Sequence, residues 1–70
     1  MRAFEVKVDG YSPIIFGAET AAKARWRAFS QYSSVYVCSF RRFLSISKVR
    51  PVPMPEGVDP KRLLLGVAQL

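Results

Sequence analysis

The side chains that could perform chemistry in this sequence are few and lie far apart. There is no histidine among the 70 residues, so the usual general base for a serine or cysteine nucleophile is missing. Cys38 lies in an apolar run, which favours an inert core side chain over a reactive thiolate. The carboxylates are scattered over a predicted strand, turns and a linker: Glu5, Asp9, Glu19, Glu56 and Asp59. We therefore expect a protein that binds a partner and does not catalyse a reaction.

Cofactors and metals are not expected either. The four glycines stand singly, so there is no glycine-rich loop for a phosphate group. With one cysteine and no histidine, a structural zinc site is not expected. A single cysteine also cannot form an internal disulfide, which favours a reducing cytoplasm over secretion.

The basic residues are the most informative group. The formal net charge is +6, and no aspartate or glutamate lies between residues 23 and 50. A basic surface attracts nucleic acid, acidic protein patches or anionic lipid, and the sign of the charge does not choose between them. We expect Arg41 and Arg42 to lead the contact with a partner, because arginine binds carboxylate or phosphate bidentately. The full set of candidate partner-binding residues is Arg27, Arg41, Arg42, Lys48 and Arg50.

Two interpretations fit the run Phe40-Arg41-Arg42-Phe43, in which two phenylalanines flank two arginines. On a helix, the phenylalanines would face the core and the arginines would point into solvent. The same residues could instead stack on nucleotide bases and hold phosphates. The first interpretation is favoured, and in both cases Arg41 and Arg42 remain exposed.

The first 32 residues predict a hairpin covered by a helix. Residues 3–8 alternate apolar and polar side chains, which is typical of a half-buried strand, and Asp9-Gly10 is a turn signal before a second strand at 13–16. Thr20 is a candidate N-cap for an amphipathic helix over 21–32, whose apolar arc includes Trp26 and Phe29.

Arg25 interrupts that apolar arc. Either its stem lies along the apolar surface or its guanidinium pairs with Glu5 or Glu19, or Arg25 binds a partner. A structural role within the protein, by either of the first two arrangements, is favoured over partner binding, because buried arginines are normally paired.

The middle of the chain is ambiguous between helix and strand. The favoured prediction is a short helix over 39–45 and then a third strand over 46–52, and the alternative is a continuous β-hairpin. A third strand is expected on physical grounds, because an isolated two-stranded hairpin is only marginally stable.

The C-terminal part is expected to extend from a compact domain. Four prolines end regular structure after residue 50, and Asp59-Pro60 predicts the start of a mostly apolar helix over 61–70 that is interrupted by Gly66. So short a helix must pack on its own domain, on a second copy or on a target. The sequence thus predicts an α+β domain over residues 1–52, with about three antiparallel strands and one main helix, and a Pro-rich extension over 53–70. A homodimer through the apolar C-terminal segment is a further prediction.

No membrane partner or export signal is predicted. The longest apolar runs are far shorter than the roughly 20 residues that span a bilayer, and the first residues alternate in character instead of forming a signal-peptide block. Lys61 and Arg62 beside the leucines of the last helix would supply only about 2 kcal/mol of attraction to anionic lipid. A cytoplasmic protein is expected.

Residues 1–52 contain three short motifs: Phe4-Glu5-Val6-Lys7-Val8-Asp9-Gly10, Ala18-Glu19-Thr20-Ala21-Ala22-Lys23-Ala24-Arg25 and Phe40-Arg41-Arg42-Phe43-Leu44. In this order they resemble motifs of the tiny accessory proteins of bacteriophages and mobile elements. Among such proteins, anti-CRISPR inhibitors are single compact domains that cover a surface of the host surveillance complex. The resemblance implies an inhibitor of a type I CRISPR complex that blocks binding of target DNA, and it assigns no individual residue. Because inhibitors that imitate DNA are acidic and this chain is basic, an acidic protein surface is the expected partner. The alternative is a small nucleic-acid-binding phage regulator.

Overall fold

A computed structural model describes residues 1–68 of the chain. Within them, four antiparallel strands form one sheet in the order β3-β1-β2-β4, and helices pack beside it. This confirms the predicted α+β class. The elements in chain order are β1 (Arg2–Val8), β2 (Ile14–Ala18), α1 (Ala21–Ser33), α2 (Phe40–Ile46), β3 (Ser47–Val52), α3 (Pro60–Leu65) and β4 (Val67–Ala68).

The predicted hairpin and its turn are present. Strand β1 pairs with β2, with Phe4 opposite Phe16 and Val6 opposite Ile14. Gly10 has a φ of 86°, a conformation that costs glycine nothing, and so allows the tight reversal. Phe4, Val6, Ile14 and Phe16 therefore lie on one face of the sheet, because side chains in a strand alternate between faces, whereas Ile15 lies opposite Glu5 on the other face.

Helix α1 covers that face. The Thr20 side chain accepts a hydrogen bond from the backbone N–H of Lys23 at 3.2 Å, which confirms the predicted N-cap. Ala24 and Ala28 are buried against the sheet, where small side chains let the helix approach closely. The main core is formed by Phe4, Val6, Phe16, Ala18, Ala24, Ala28 and Phe43.

The ambiguous middle of the chain is a helix followed by a strand, so the alternative of a continuous hairpin is wrong. The Ser39 side chain accepts a hydrogen bond from the Arg42 N–H at 3.2 Å and caps α2. The buried Ser47 hydroxyl donates to the Phe43 carbonyl at 2.7 Å, where the helix turns directly into β3. Strand β3 then pairs antiparallel with β1, as predicted.

The C-terminal part differs from the prediction after Leu65. Asp59 caps α3 through its contact with the Lys61 N–H at 2.9 Å, as expected, but Gly66 has a φ of 90° and ends the helix. Val67 and Ala68 then form a fourth strand against β2, which the sequence analysis did not predict. The predicted helix over 61–70 is therefore wrong from Gly66 to residue 68, and its last two residues lie outside the described part.

Candidate binding surface

Helix α2 presents the leading pair of candidate residues. Phe43 is fully buried and Phe40 is half-buried, and their rings pack on Phe29 of α1 at centroid distances of 5.5 and 5.1 Å. Because residues three apart share one face of a helix, Arg41 and Arg42 point away from this contact, and both are exposed. The favoured interpretation of this motif is confirmed for Phe43, which is too buried to stack on a nucleotide base.

Strand β3 carries two further candidates, Lys48 and Arg50, and both are exposed. Their Cα atoms lie opposite those of Lys7 and Glu5 of β1. The alternation of side chains in a strand puts these residues on the sheet face away from α1. The Arg50 guanidinium is engaged there: Nε donates to Glu5 Oε1 at 3.0 Å and Nη2 donates to Oε2 at 3.1 Å. These hydrogen bonds raise the pKa of Arg50 above its usual value, and Glu5 compensates its charge.

The guanidinium of Arg27 is held at strand β2. Its Nη1 donates to the Gly17 carbonyl of β2 at 2.6 Å. Strand β2 is separated from β3 by β1, and two strand spacings amount to about 10 Å. The structure therefore does not bring Arg27 together with the residues of β3.

Three of the five candidates remain as exposed cations on two adjoining elements. We call Arg41, Arg42 and Lys48 the basic edge, because β3 is an outer strand of the sheet and α2 runs directly into it. Within residues 1–68 the ion pairs are Lys23–Glu19 and Arg50–Glu5, so none of the three has a carboxylate partner there. The nearby acid is Asp9, whose backbone N–H donates to the Ile46 carbonyl at 2.9 Å.

Of the two structural arrangements expected for Arg25, the ion pair with Glu5 or Glu19 is wrong. Glu5 pairs with Arg50, and Glu19 pairs with Lys23 at 3.1 Å. The Arg25 Nε is buried and has no hydrogen-bond partner among the described residues. The helical spacing in the sequence predicted that Arg25 lies within the apolar arc. It could not predict that Glu5 and Glu19 form ion pairs with other residues.

Trp26 is a candidate that the sequence analysis missed. It was placed on the apolar arc, yet it is 54% exposed, and its ring lies 5.2 Å from that of Phe40. An open cleft, which we call the aromatic cleft, is lined by Ala22, Lys23, Trp26, Arg27 and Phe40. The sequence contained a signal for this exposure. Arg27 follows Trp26 directly and Lys23 lies three positions before it, so Trp26 lies at the border between the apolar arc and the polar face of the helix.

Comparisons of the chain with protein-family models, with curated proteins and with solved structures gave no match.

The remaining reactive side chains have structural contacts. Hydrogen bonding with Lys23 is the main cause that lowers the pKa of Glu19. The Cys38 thiol contacts the Ser39 carbonyl at 3.3 Å beside the core. In the described part of the chain, no group of three or more His, Cys, Asp or Glu side chains could hold a metal ion.

Helix α3 docks on its own domain through Leu63, which is buried, whereas Leu64 and Leu65 are exposed. A dimer through these exposed leucines stays a prediction. No helix within residues 1–68 has the length and apolar character needed to cross a membrane.

Proposed function

We propose that this chain is a non-catalytic binding protein that docks on an acidic surface of a protein partner through the basic edge. The observation that carries this proposal is the exposure of Arg41, Arg42 and Lys48 without carboxylate partners in residues 1–68. Charges that are not neutralised within the protein remain available to attract and orient a partner.

The fixed position of helix α2, which carries Arg41 and Arg42, supports this proposal. Helix α2 is capped by Ser39 at one end and anchored by the buried Phe43 in its middle. A fixed backbone reduces the entropy that is lost when the side chains engage a partner. Arginine also forms paired hydrogen bonds with a carboxylate, which gives direction as well as attraction.

The resemblance to phage accessory proteins suggests which partner to test first. We propose that the partner is a subunit of a type I CRISPR surveillance complex in the cytoplasm of a bacterial host. The chain would act as an anti-CRISPR inhibitor that covers an acidic surface of this subunit and blocks binding of target DNA. The net charge of +6 supports occlusion of a protein surface over imitation of DNA.

The experiment is capture of purified type I complexes by the immobilised full chain. We expect Arg41→Glu/Arg42→Glu to abolish capture and to leave thermal unfolding nearly unchanged, because both side chains are exposed. The matched control is Lys61→Glu/Arg62→Glu, which changes the net charge equally on another exposed helix. Equal losses from the two double variants would show that capture depends on bulk charge, and the basic edge would lose its assigned role.

The exposed Trp26 favours one second candidate, binding of single-stranded nucleic acid in the aromatic cleft. A base could stack on the indole while Lys23 and Arg27 approach the backbone, and such stacking contributes about 1–3 kcal/mol per base. The full chain should then shift labelled single-stranded DNA, with affinity that falls steeply between about 50 and 200 mM salt. Trp26→Ala should weaken the shift and Tyr36→Ala, another exposed aromatic, should not. Absence of a shift at low salt would remove this candidate.

A further inference from the structure

A cavity of about 220 Å³ opens between helix α1 and the end of the sheet where β1 leads into the hairpin turn. Its floor includes Val6 and Phe16, which are almost fully buried core residues, and Ile14 beside them. Ala28 and Tyr32 of α1 form the opposite wall. The cavity is therefore an opening into the hydrophobic core, with walls made by a helix and two paired strands.

The rim of this cavity is aromatic. Tyr11 follows the turn after β1, and Tyr36 lies in the loop after α1. Their ring centroids are 6.0 Å apart, and Tyr32 lies 6.1 Å from Tyr11 in an edge-to-face arrangement and 4.9 Å from Tyr36. Three neighbouring rings thus offer aromatic edges and faces, with phenolic hydroxyls as the polar groups beside them.

The lining is electrically neutral although the chain is strongly basic. Among residues 1–68, the polar lining groups besides the tyrosine hydroxyls are Ser12 and Gln31, and none of the lining side chains is a lysine, arginine, aspartate or glutamate. Gln31 already donates a hydrogen bond from Nε2 to the Leu65 carbonyl. A charged ligand would lose hydration in this cavity without meeting an opposite charge, so the complementary ligand is uncharged.

The volume limits the size of the ligand. A cavity of about 150 Å³ lined by apolar side chains binds benzene, so about 220 Å³ suits one ring or two fused rings. We propose that this tyrosine-rimmed cavity binds a small, uncharged aromatic molecule, with its ring between the sheet and α1 and one polar substituent at the hydroxyls of Tyr11 and Tyr36. This proposal does not depend on the basic edge or on the proposed partner.

The test is a titration of the full chain with indole, followed by NMR. We expect saturable shifts that concentrate on lining residues such as Val6 and Ala28. Indole-3-acetate, which carries a carboxylate on the same ring system, should bind at least about tenfold more weakly, because its charge is not matched in the cavity. Equal affinities for the two probes, or shifts that do not saturate, would overturn the proposal.

A pair of valine variants locates the binding. Val35 lines the mouth of the cavity and is exposed, so Val35→Arg blocks the mouth without disturbing the core. Val37 is also exposed and is not part of the lining, so Val37→Arg is the matched control. We expect at least about a tenfold loss of indole affinity for the first variant and none for the second. Equal losses of indole affinity in the two variants would mean that indole binds outside the cavity. If indole does not bind, and Val35→Arg weakens partner capture whereas Val37→Arg does not, the cavity would instead accept a side chain of the partner. Either result would overturn the proposal.

Discussion

The carboxylate of Glu5 and the guanidinium of Arg50 form a two-point ion pair between neighbouring strands, with N–O distances of 3.0 and 3.1 Å. The Glu5 side chain is only 10% exposed, whereas that of Arg50 is 68% exposed. The arginine thus covers an acid that lies on the central strand of the sheet.

Removal of Arg50 should destabilise the fold, because it leaves the Glu5 carboxylate buried without its partner. We expect Arg50→Ala to lower the free energy of unfolding by a modest amount, because water reaches the arginine side of the pair. Lys48→Ala, on the same strand and sheet face, should change it by less than about 0.5 kcal/mol. Urea unfolding measures both, and equal effects would show that the ion pair contributes nothing specific.

This ion pair also shows what the sequence could not predict. Glu5 and Arg50 lie 45 positions apart, and their contact depends on the register in which β3 pairs with β1. The absence of acids between residues 23 and 50 predicted an unbroken cationic surface. Strand pairing brings acidic residues from outside this range close to the cations. Glu5 forms an ion pair with Arg50, and Asp9 lies near the end of α2.

Local signals were sufficient for most of the fold. The Thr20 cap, the Asp9-Gly10 turn and the Asp59-Pro60 helix start each act through neighbouring residues, so the sequence predicted them correctly. Strand β4 was missed because two residues cannot show a periodic pattern. Exposure of Trp26 was missed because helical spacing gives the direction of a side chain but not what covers it.

Docking of α3 depends on one leucine of three. Leu63 is 1% exposed and Leu65 on the same helix is 71% exposed. Leu63→Ala should lower the free energy of unfolding by about 2–5 kcal/mol, the usual cost of deleting a buried leucine side chain, and Leu65→Ala should have little effect. Thermal or urea unfolding of the two variants distinguishes them, and similar small losses would mean that α3 adds little to the stability of the domain.

The junction between α3 and β4 requires a glycine for two reasons. Gly66 has a φ of 90°, and a Cβ there would lie 2.7 Å from Ile14 Cγ2 and 2.8 Å from Phe16 Cζ. Phe16 is held in the core and cannot easily move away. Gly57 also has a positive φ, of 73°, but a Cβ there would meet no atom within 4 Å.

The two alanine variants therefore compare a positive-φ backbone in open space with one that also lies against the core. Gly57→Ala should cost about 1–2 kcal/mol from the left-handed conformation alone. Gly66→Ala should cost more, by about 1–3 kcal/mol, because the added methyl group overpacks the core and because a ψ of 136° puts Gly66 outside the left-handed helical region. Unfolding by urea measures the difference, and equal costs would show that the core accommodates the methyl group.

Tyr11 should titrate at an unusually high pH. Side-chain hydrogen bonding with Tyr36 is the main cause that raises the pKa of Tyr11 to about 12, from an ordinary value of about 10. Because the pKa is higher in the folded state, its contribution to stability is complete below about pH 10 and is lost as the pH rises through about 12. Ultraviolet absorbance of tyrosinate in Tyr32→Phe, which leaves Tyr11 and Tyr36 in place, should show this late ionisation. Tyr36→Phe should move the ionisation of Tyr11 back towards pH 10, and an unchanged titration would show that Tyr36 is not its cause.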